Sequence, residues 1–162
     1  MANVPDGFTP LFRGSPFLDL VGPFYQKVEG DGLVVGLRIA EGHTNIRGTA
    51  HGGLLVTMAD IALGYNASFA GTDKQAGARP SAALTTANLS VDFAGSAAVG
   101  DWVEAHVDIQ RVGGRLASAN AYLSVGPRRI VRASAVFAVT ATNAPTRDEP
   151  PAGAVNVRAT DG

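Results

Sequence analysis

Apolar residues in segment 52–70 follow the period of an α-helix. The side chains that recur at spacings of three and four residues are Leu54, Met58, Ile61, Tyr65 and Phe69. This spacing is typical of a helix with one apolar stripe. Between Arg47 and Asp73 the only formal charge is Asp60, so the helix is apolar on nearly every side. We therefore expect it to be buried all round, with a sheet wrapped around it.

Six extended segments are predicted, two before this helix and four after it. Residues 24–29 and 33–40 are joined by Gly-Asp-Gly and form a predicted hairpin. The other four segments are residues 83–93, 102–112, 116–125 and 130–141. Turn residues separate them, and such short connections favour antiparallel pairing. In segment 102–112 apolar and polar residues alternate, which predicts one buried and one solvated face.

The two ends of the chain lack such patterns. Residues 1–14 mix proline, glycine and polar residues and are predicted to be an N-terminal arm. Residues 142–162 are rich in Pro, Ala, Thr and Asp and are predicted to be a flexible C-terminal tail. Ser15 and Pro16 are typical of the N-cap and first residue of a short helix. The order of elements predicts one α+β domain over residues 15–141.

Asp60 is the first candidate for chemistry. Burial disfavours the charged form of a carboxylate, so a fold seldom keeps one in a dry helix without a partner or a use. No Lys or Arg lies within one helical turn of it, and on a helical wheel it is roughly opposite the stripe that contains Met58 and Tyr65. Two interpretations remain. Asp60 is either a structural carboxylate, bonded to backbone donors or facing a partner subunit, or a functional one.

The second candidate is the sequence His51-Gly52-Gly53 at the start of the helix. The first turn of a helix has N–H groups without intrahelical acceptors, and glycine lets a carbonyl oxygen come close to them. This suits an oxyanion hole, although a glycine pair also occurs in simple turns and His51 could be a capping or core residue. His51 and Asp60 are separated by about 13 Å of helix. Because one chain does not bring them together, we expect a site shared between two antiparallel copies of the helix.

Segment 45–60 resembles a known signature. Asn-Ile-Arg-Gly-Thr-Ala-His-Gly-Gly, followed by six residues and an Asp, is similar to the N-x-x-G-x-x-H-G-G-x6-D pattern of hotdog-fold acyl-CoA thioesterases of the PaaI-like and 4-hydroxybenzoyl-CoA types. The likeness extends over about residues 17–141 and includes the Gly-Asp at 100–101 and the Gly-Arg at 114–115. The residues in register with the signature are Asn45, Gly48, His51, Gly52, Gly53 and Asp60.

The resemblance implies a fold, an assembly and an activity. The fold is a curved antiparallel sheet of five or six strands around one long central helix. Two such sheets join side by side in a dimer, and dimers usually pair into a tetramer. The implied activity is hydrolysis of an acyl- or aryl-CoA thioester. Gly52 would donate its N–H to the thioester carbonyl, and Asp60 of the neighbouring subunit would be the nucleophile or the general base for water.

Other site residues also follow from the resemblance. Asn45 and His51 would orient the thioester and the leaving thiol. Thr86, found by counting back from Gly100, would position the catalytic carboxylate or water, with Thr85 close by. Many relatives have Asp where this chain has Asn88, which changes the expected hydrogen bonds around that threonine.

Substrate-binding residues are predicted in two groups. The acyl pocket is expected between the helix and the strand after it, lined for example by Leu54, Met58 and Leu84, and Gly53 and Thr85 are also expected to contact the substrate. The arginines at strand ends are the available partners for the phosphates of coenzyme A. Arg115 is the first choice because it lies in the family-like Gly-Arg pair, and Arg128 is the second.

Composition and charge exclude several other classes. The chain has 162 residues, of which 46% are hydrophobic and only 17% charged, so it has more to bury than a small monomer and we expect an oligomer. A net charge of −1 without a basic cluster argues against nucleic-acid and membrane partners. No signal-like or membrane-spanning segment is found, which predicts a cytoplasmic protein. With no Cys and three His, a metal site is not expected. No cofactor is expected either, since coenzyme A belongs to the substrate.

Three functions are compatible with these features. An acyl-CoA thioesterase is the leading hypothesis. A hotdog hydratase or dehydratase is disfavoured because its usual Asp five residues before the His is here Ile46. A non-catalytic acyl-CoA-binding module would normally be fused to a DNA-binding segment, which the length and charge do not suggest.

Overall fold

The computed structural model describes residues 4–70 and 83–140. The described part of the chain forms two helices, α1 (Pro16–Val21) and α2 (Gly52–Ser68), a 3₁₀ turn at Glu41–His43, and seven strands. The strands are β1 (Thr9–Pro10), β2 (Phe24–Glu29), β3 (Gly32–Arg38), β4 (Ala83–Phe93), β5 (Trp102–Val112), β6 (Leu116–Val125) and β7 (Arg128–Thr140). The predicted C-terminal tail, residues 142–162, lies outside the described residues.

The seven strands form one antiparallel sheet in the order β1-β2-β3-β5-β6-β7-β4. The expectation of an α+β fold with a sheet around one long helix is confirmed, and all six predicted strands are present. The seventh strand is the two-residue β1, which was not predicted because two residues are too few to show an alternating pattern. The first strand after α2, β4, lies at the edge of the sheet next to β7.

Helix α2 packs one face against the inside of the sheet. Its buried residues are Leu54, Leu55, Met58, Ala59, Ala62, Leu63, Asn66 and Ala67. They meet a surface made of small side chains, including Ala119 and Ala121 on β6 and Ala133 and Ala135 on β7, so the helix can approach the strands closely.

The prediction that α2 is buried on every side is wrong for one face. Asp60, Ile61, Gly64 and Tyr65 are only partly covered within the described chain. An apolar face indicates that something covers it, but the sequence does not say whether the cover is the chain's own sheet, a ligand or a partner. This open face carries the candidate site.

Asn66 fixes the position of the C-terminal half of α2. It is 1% exposed, and its side-chain oxygen accepts a hydrogen bond from the Leu33 N–H at 2.9 Å. Its amide nitrogen donates to the carbonyls of Leu33 and Ala62 at 2.8 and 2.9 Å. Because a buried amide is costly unless its bonding groups are paired, this network holds the helix at one place along β3.

The N-terminal arm is packed against the domain from residue 4 onward. Phe8 meets Trp102 edge-on with ring centroids 5.0 Å apart. Phe12 contacts the rings of Tyr65 and Phe69 near the end of α2, at 5.8 and 5.3 Å. These aromatic contacts pack the arm against β5 and the end of α2.

A bulge in β4 decides which of its side chains face the helix. Pairing with β7 shifts register between Thr86 and Asn88. Thr86 lies opposite the buried Phe137, and after the shift Leu89 lies opposite the buried Ala135. Paired residues share a face of the sheet, so Thr86 and Leu89, three residues apart, both point towards α2.

Candidate active site

The N-terminus of α2 has one N–H group left for a ligand. His51 is the N-cap, and its Nδ1 accepts a hydrogen bond from the Gly53 N–H at 2.9 Å. The N–H groups of Leu54 and Leu55 both reach the His51 carbonyl, at 3.0 and 3.3 Å. Within the part of the chain that the structure describes, the Gly52 N–H has no acceptor. It is the free donor expected of an oxyanion site.

The histidine cap restricts what His51 can do. Since Nδ1 accepts from a backbone N–H, it carries a lone pair and the ring proton is on Nε2. His51 is exposed, so Nε2–H is available as a donor. In this arrangement His51 accepts the hydrogen bond from the Gly53 N–H at the start of the helix, while the Gly52 N–H keeps no acceptor among the described residues.

Within the described residues, the Asp60 carboxylate accepts a single hydrogen bond, which comes from the neighbouring strand β4. The Thr86 hydroxyl donates to Asp60 Oδ1 at 2.9 Å. Among the described residues no Lys, Arg or His forms an ion pair with Asp60. The carboxylate is partly exposed, and its second oxygen has no partner in the described chain. Asp60 therefore has the freedom that a nucleophile or base requires.

Gly52 and Asp60 do not meet in one chain. They are eight residues apart on a straight helix, which corresponds to about 12 Å. A single thioester carbon cannot contact both groups at that separation. The structure thus agrees with the separation predicted from the sequence, and only a second chain could bring an Asp60 carboxylate beside this Gly52.

Asp60 opens onto a crevice of about 510 Å³ between α1, α2 and β4. Its lining residues are Ser15, Phe17, Leu18, Val56, Thr57, Asp60, Ile61, Tyr65, Thr86 and Leu89. The volume lies within the range of small-molecule sites, and the lining is mostly apolar with a few convergent polar groups. Of these lining residues, Asp60 and Tyr65 carry the ionisable side chains.

Two of the predicted pocket residues are core residues. Leu54 is 8% exposed and Met58 has no exposed surface, and neither lines the crevice. On a helical wheel Met58 points about 160° away from Asp60, so its side chain faces the sheet and not the crevice. Residues on the same side as the carboxylate, such as Val56 and Ile61, line the crevice instead, and the wheel position of Asp60 could have identified them.

The other predicted pocket residues have different positions. Gly53 is at the exposed start of α2, with its N–H bonded to His51. Leu84 and Thr85 lie at the start of β4, one partly buried and the other exposed, and neither belongs to the crevice lining. Thr86, the next residue of β4, does belong to it.

Asn45 organises a turn rather than the crevice. Its side-chain oxygen accepts from the Arg47 N–H at 2.8 Å, and its carbonyl accepts from the Gly48 N–H at 2.9 Å. The Asn45 amide nitrogen also donates to the Thr49 hydroxyl at 3.2 Å. The turn leads directly to His51, whose N–H bonds to the His43 carbonyl at 2.8 Å. In the described chain the Asn45 side chain therefore shapes the loop that leads into α2, and it does not line the crevice.

The two predicted arginines lie at opposite ends of the sheet. Arg128 donates to the Ser96 carbonyl at 2.8 Å, and the next carbonyl, of Ala97, accepts from the Ala50 N–H beside the start of α2. The Arg115 carbonyl accepts from the Val139 N–H near the start of β4. The length of β4, about 30 Å, separates these ends. In one chain, Arg128 rather than the first-choice Arg115 is therefore at the Gly52 end.

Phe93 is a site residue that the sequence interpretation missed. It is the last residue of β4 and is 53% exposed. A Cβ atom on Gly52 would lie 3.3 Å from its ring. The ring thus lies beside the free N–H group. The signal in the sequence was weak, because Phe93 is simply the last apolar residue of an extended segment.

No group of three or more His, Asp or Glu side chains that could hold a metal ion occurs in the described residues. Over those same residues, neither helix has the length and hydropathy of a membrane span.

A long helix inside a seven-stranded antiparallel sheet, with a histidine-capped glycine pair at its start and a carboxylate in its open face, defines a hotdog fold. A sequence model of the thioesterase superfamily matches residues 47–129, the segment that contains the cap, Asp60, Thr86 and Arg128. The chain belongs to this superfamily.

Individual proteins agree with this assignment. The chain is 49% identical over 138 residues to a Pseudomonas aeruginosa protein named "Putative esterase PA0474", covering 85% of this chain and 98% of that protein. The PaaI phenylacetic acid degradation protein of Thermus thermophilus, solved as a mutant, has a similar structure with a TM-score of 0.64 and 19% identity, covering 76% and 98% of the two chains. A hypothetical thioesterase of Streptococcus pneumoniae, solved with coenzyme A, has a TM-score of 0.62 and 19% identity, covering 72% and 88%.

Proposed function

We propose that this protein is an acyl-CoA thioesterase that hydrolyses an acyl- or aryl-CoA to the free acid and coenzyme A. The observation that carries the proposal is the state of Asp60, a partly exposed carboxylate that faces a crevice and is bonded only to Thr86 among the described residues. A carboxylate in a mostly apolar crevice, with no Lys or Arg paired to it among the described residues, suits a role in chemistry. The superfamily membership and the esterase-named relative support a hydrolase.

The proposed reaction uses one donor and one carboxylate. Water adds to the thioester carbon, and the carbonyl oxygen gains negative charge that the Gly52 N–H stabilises more strongly than it does the neutral carbonyl. As general base, Asp60 takes the proton of that water and passes it to the departing sulfur. As nucleophile, Asp60 attacks the carbon in place of water and displaces the thiolate, which takes a proton from solvent, and water then opens the resulting anhydride. The C–S bond breaks, and the sulfur leaves with a proton as the free thiol. Neither route needs a cofactor.

We propose that the site forms between two subunits. The distance of about 12 Å along α2 requires a carboxylate from another chain. Strand β4 supports this arrangement because it is an edge strand of 11 residues whose side chains are mostly exposed. Such a long edge, which has no strand on its outer side in the described part of the chain, is a template for pairing with a second copy. Pairing of two β4 strands would place two α2 helices antiparallel on the same side of the joined sheet.

Coenzyme A would lie near the N-terminus of α2. Arg128 is exposed and close to residues 95–98 beside that terminus, where its guanidinium can meet a phosphate. The S. pneumoniae neighbour, whose structure includes coenzyme A, supports this class of ligand.

The function is tested by measuring thiol release from acetyl-, hexanoyl-, lauroyl-, benzoyl- and phenylacetyl-CoA. We expect at least one of them to yield equal amounts of free acid and thiol. Binding of acyl-CoA without turnover of any substrate would contradict the proposal and favour the acyl-CoA-binding module. Addition of water to an enoyl-CoA, with no thiol released, would favour the hydratase.

The contribution of the Thr86 hydrogen bond to catalysis can be measured by removing its donor. The Thr86→Val variant keeps the shape of the side chain but removes the donor to Asp60. We expect kcat/KM for thioester hydrolysis to fall about tenfold, since a hydrogen bond to a charged group contributes roughly 1.5 kcal/mol or more. Thr86→Ser keeps a hydroxyl and should retain most of the activity. Equal rates for the Val and Ser variants would exclude a role for this hydrogen bond.

Subunit mixing tests whether the site is shared. The variants Asp60→Asn and Gly52→Pro are each expected to be nearly inactive alone. Co-expressed in equal amounts, they should recover about a quarter of the parent activity, because half of the dimers contain one chain of each kind and one of their two sites is intact. If mixing restores no activity while both variants are folded, Gly52 and Asp60 do not act across subunits.

A further inference from the structure

The crevice beside Asp60 has an apolar end that the reaction itself does not use. Phe17 and Leu18 of α1 line one side of it, and Ile61 and Tyr65 of α2 line the other. Resting on the proposed hydrolase function, we infer that this end receives the acyl group and that Tyr65 limits its length. The enzyme would then favour acyl groups of about the size of hexanoyl or phenylacetyl over long-chain ones.

Tyr65 is fixed in place at the end of the crevice. Its hydroxyl donates to the Arg13 carbonyl at 3.0 Å, and its ring packs against that of Phe12. Phe12 is in turn held edge-on by Phe69, so the arm and the last turn of α2 form one rigid cluster. Burial raises the pKa of the Tyr65 hydroxyl, which therefore stays protonated and keeps donating at neutral pH. A side chain with these contacts cannot swing away to admit a longer chain.

The exposure of Phe17 indicates that something covers this side of the crevice. Phe17 is 55% exposed although it is a large aromatic residue, and it faces the same space as Asp60. An exposed aromatic side chain in a concave, mostly apolar site is a common anchor for an apolar ligand. An acyl group attached to a thioester at Asp60 has the chemistry to cover it.

The distance from the carboxylate to Tyr65 sets the size of this space. The two residues are five positions apart on α2, which is about 7.5 Å of helix rise and about 140° around the helix axis, so their Cα atoms are on the order of 9 Å apart. A straight chain of medium length or a single aromatic ring with one methylene fits that distance. Apolar pockets discriminate by about 10-fold or more for each misfit methylene, so a fixed end should produce a sharp upper limit.

The test compares chain-length profiles of variants at the end of the crevice. In the parent, kcat/KM for lauroyl-CoA should be at least about tenfold below that for hexanoyl-CoA. Tyr65→Ala should reduce this ratio to less than about threefold or invert it. Tyr65→Phe keeps the ring and its packing on Phe12 but loses the bond to Arg13, so its profile should stay closer to that of the parent than the profile of Tyr65→Ala. Tyr122→Ala is the matched control, because Tyr122 lies on the opposite face of the sheet between the inward-facing Ala121 and Leu123.

A second variant keeps the inference testable if Tyr65→Ala does not fold. The larger side chain in Ile61→Phe would narrow the crevice from the α2 side. The kcat/KM for hexanoyl-CoA should then fall about tenfold relative to that for acetyl-CoA. A parent that prefers lauroyl-CoA, or a folded Tyr65→Ala variant with the parent's length profile, would overturn the length limit but not the hydrolase. Failure of the proposed function looks different, because then the parent releases thiol from no acyl-CoA of any length.

Discussion

Replacement of Asp60 by Asn is expected to lower kcat/KM for thioester hydrolysis by roughly 10³-fold, since a positioned base or nucleophile contributes on this scale. An amide neither accepts a proton from water nor attacks the thioester. The fold should not change, because the Asn oxygen can still accept the Thr86 hydrogen bond that holds Asp60 at 2.9 Å. Thiol release and a thermal unfolding midpoint measured together separate loss of chemistry from loss of structure.

A matched substitution controls for the loss of one negative charge. Asp108 is an exposed carboxylate on β5 that accepts a hydrogen bond from Gln110 at 2.7 Å, on the face of the sheet away from α2. Asp108→Asn should hydrolyse every substrate at the parent rate. If Asp60→Asn also retained the parent rate, Asp60 would have no role in catalysis and the mechanism would need a different carboxylate.

Replacement of Gly52 by Pro is expected to lower kcat/KM by about 10²–10³-fold, the usual loss when one oxyanion donor is removed. Proline removes the N–H at this position and adds a ring whose Cβ the Gly52→Ala variant also carries, and it is favoured at the first residue of a helix. His51 has φ −64° and ψ 132°, an extended conformation that the residue before a proline adopts readily. The helix should therefore form normally, and the loss should appear in the reaction rate.

Gly52→Ala is the control for this prediction. It retains the N–H group and adds a Cβ that would lie 3.3 Å from the ring of Phe93. Because Phe93 is half exposed, its ring can shift by the few tenths of an ångström that are needed. We expect Gly52→Ala to keep most of the activity. Equal losses in the Ala and Pro variants would mean that side-chain space at Gly52, and not its N–H group, controls the rate.

The helix and strands could be predicted because their signals are local. The spacing of Leu54, Met58 and Ile61 predicted a helix over residues 52–70, and the observed α2 ends two residues earlier, at Ser68. Alternation gave β5, where Val103 and Ala105 are fully buried and His106 is exposed. The chemistry of His51 at the start of α2 was also local, since a cap and its free N–H groups lie within one turn.

The lining of the crevice could not be predicted in the same way. The bulge between Thr86 and Asn88 brings Leu89 to the inner face, and no alternating pattern shows where a strand gains an extra residue. Tyr65 was predicted as part of an apolar stripe, but its position at the end of the crevice depends on the Arg13 carbonyl, 52 residues away in the chain. Leu54 and Met58 were predicted to line the pocket because they are apolar and near the site, yet they face the sheet.

The amino-acid sequence by itself determined the helix, the strands, the capped glycine pair and the one carboxylate in an apolar face, because each depends on residues within a few positions of one another. Tertiary structure decided which side of α2 remains open, which end of the sheet carries Arg128, and which side chains surround Asp60. These depend on contacts between residues far apart in the chain, and packing chooses among several arrangements that the local pattern allows equally.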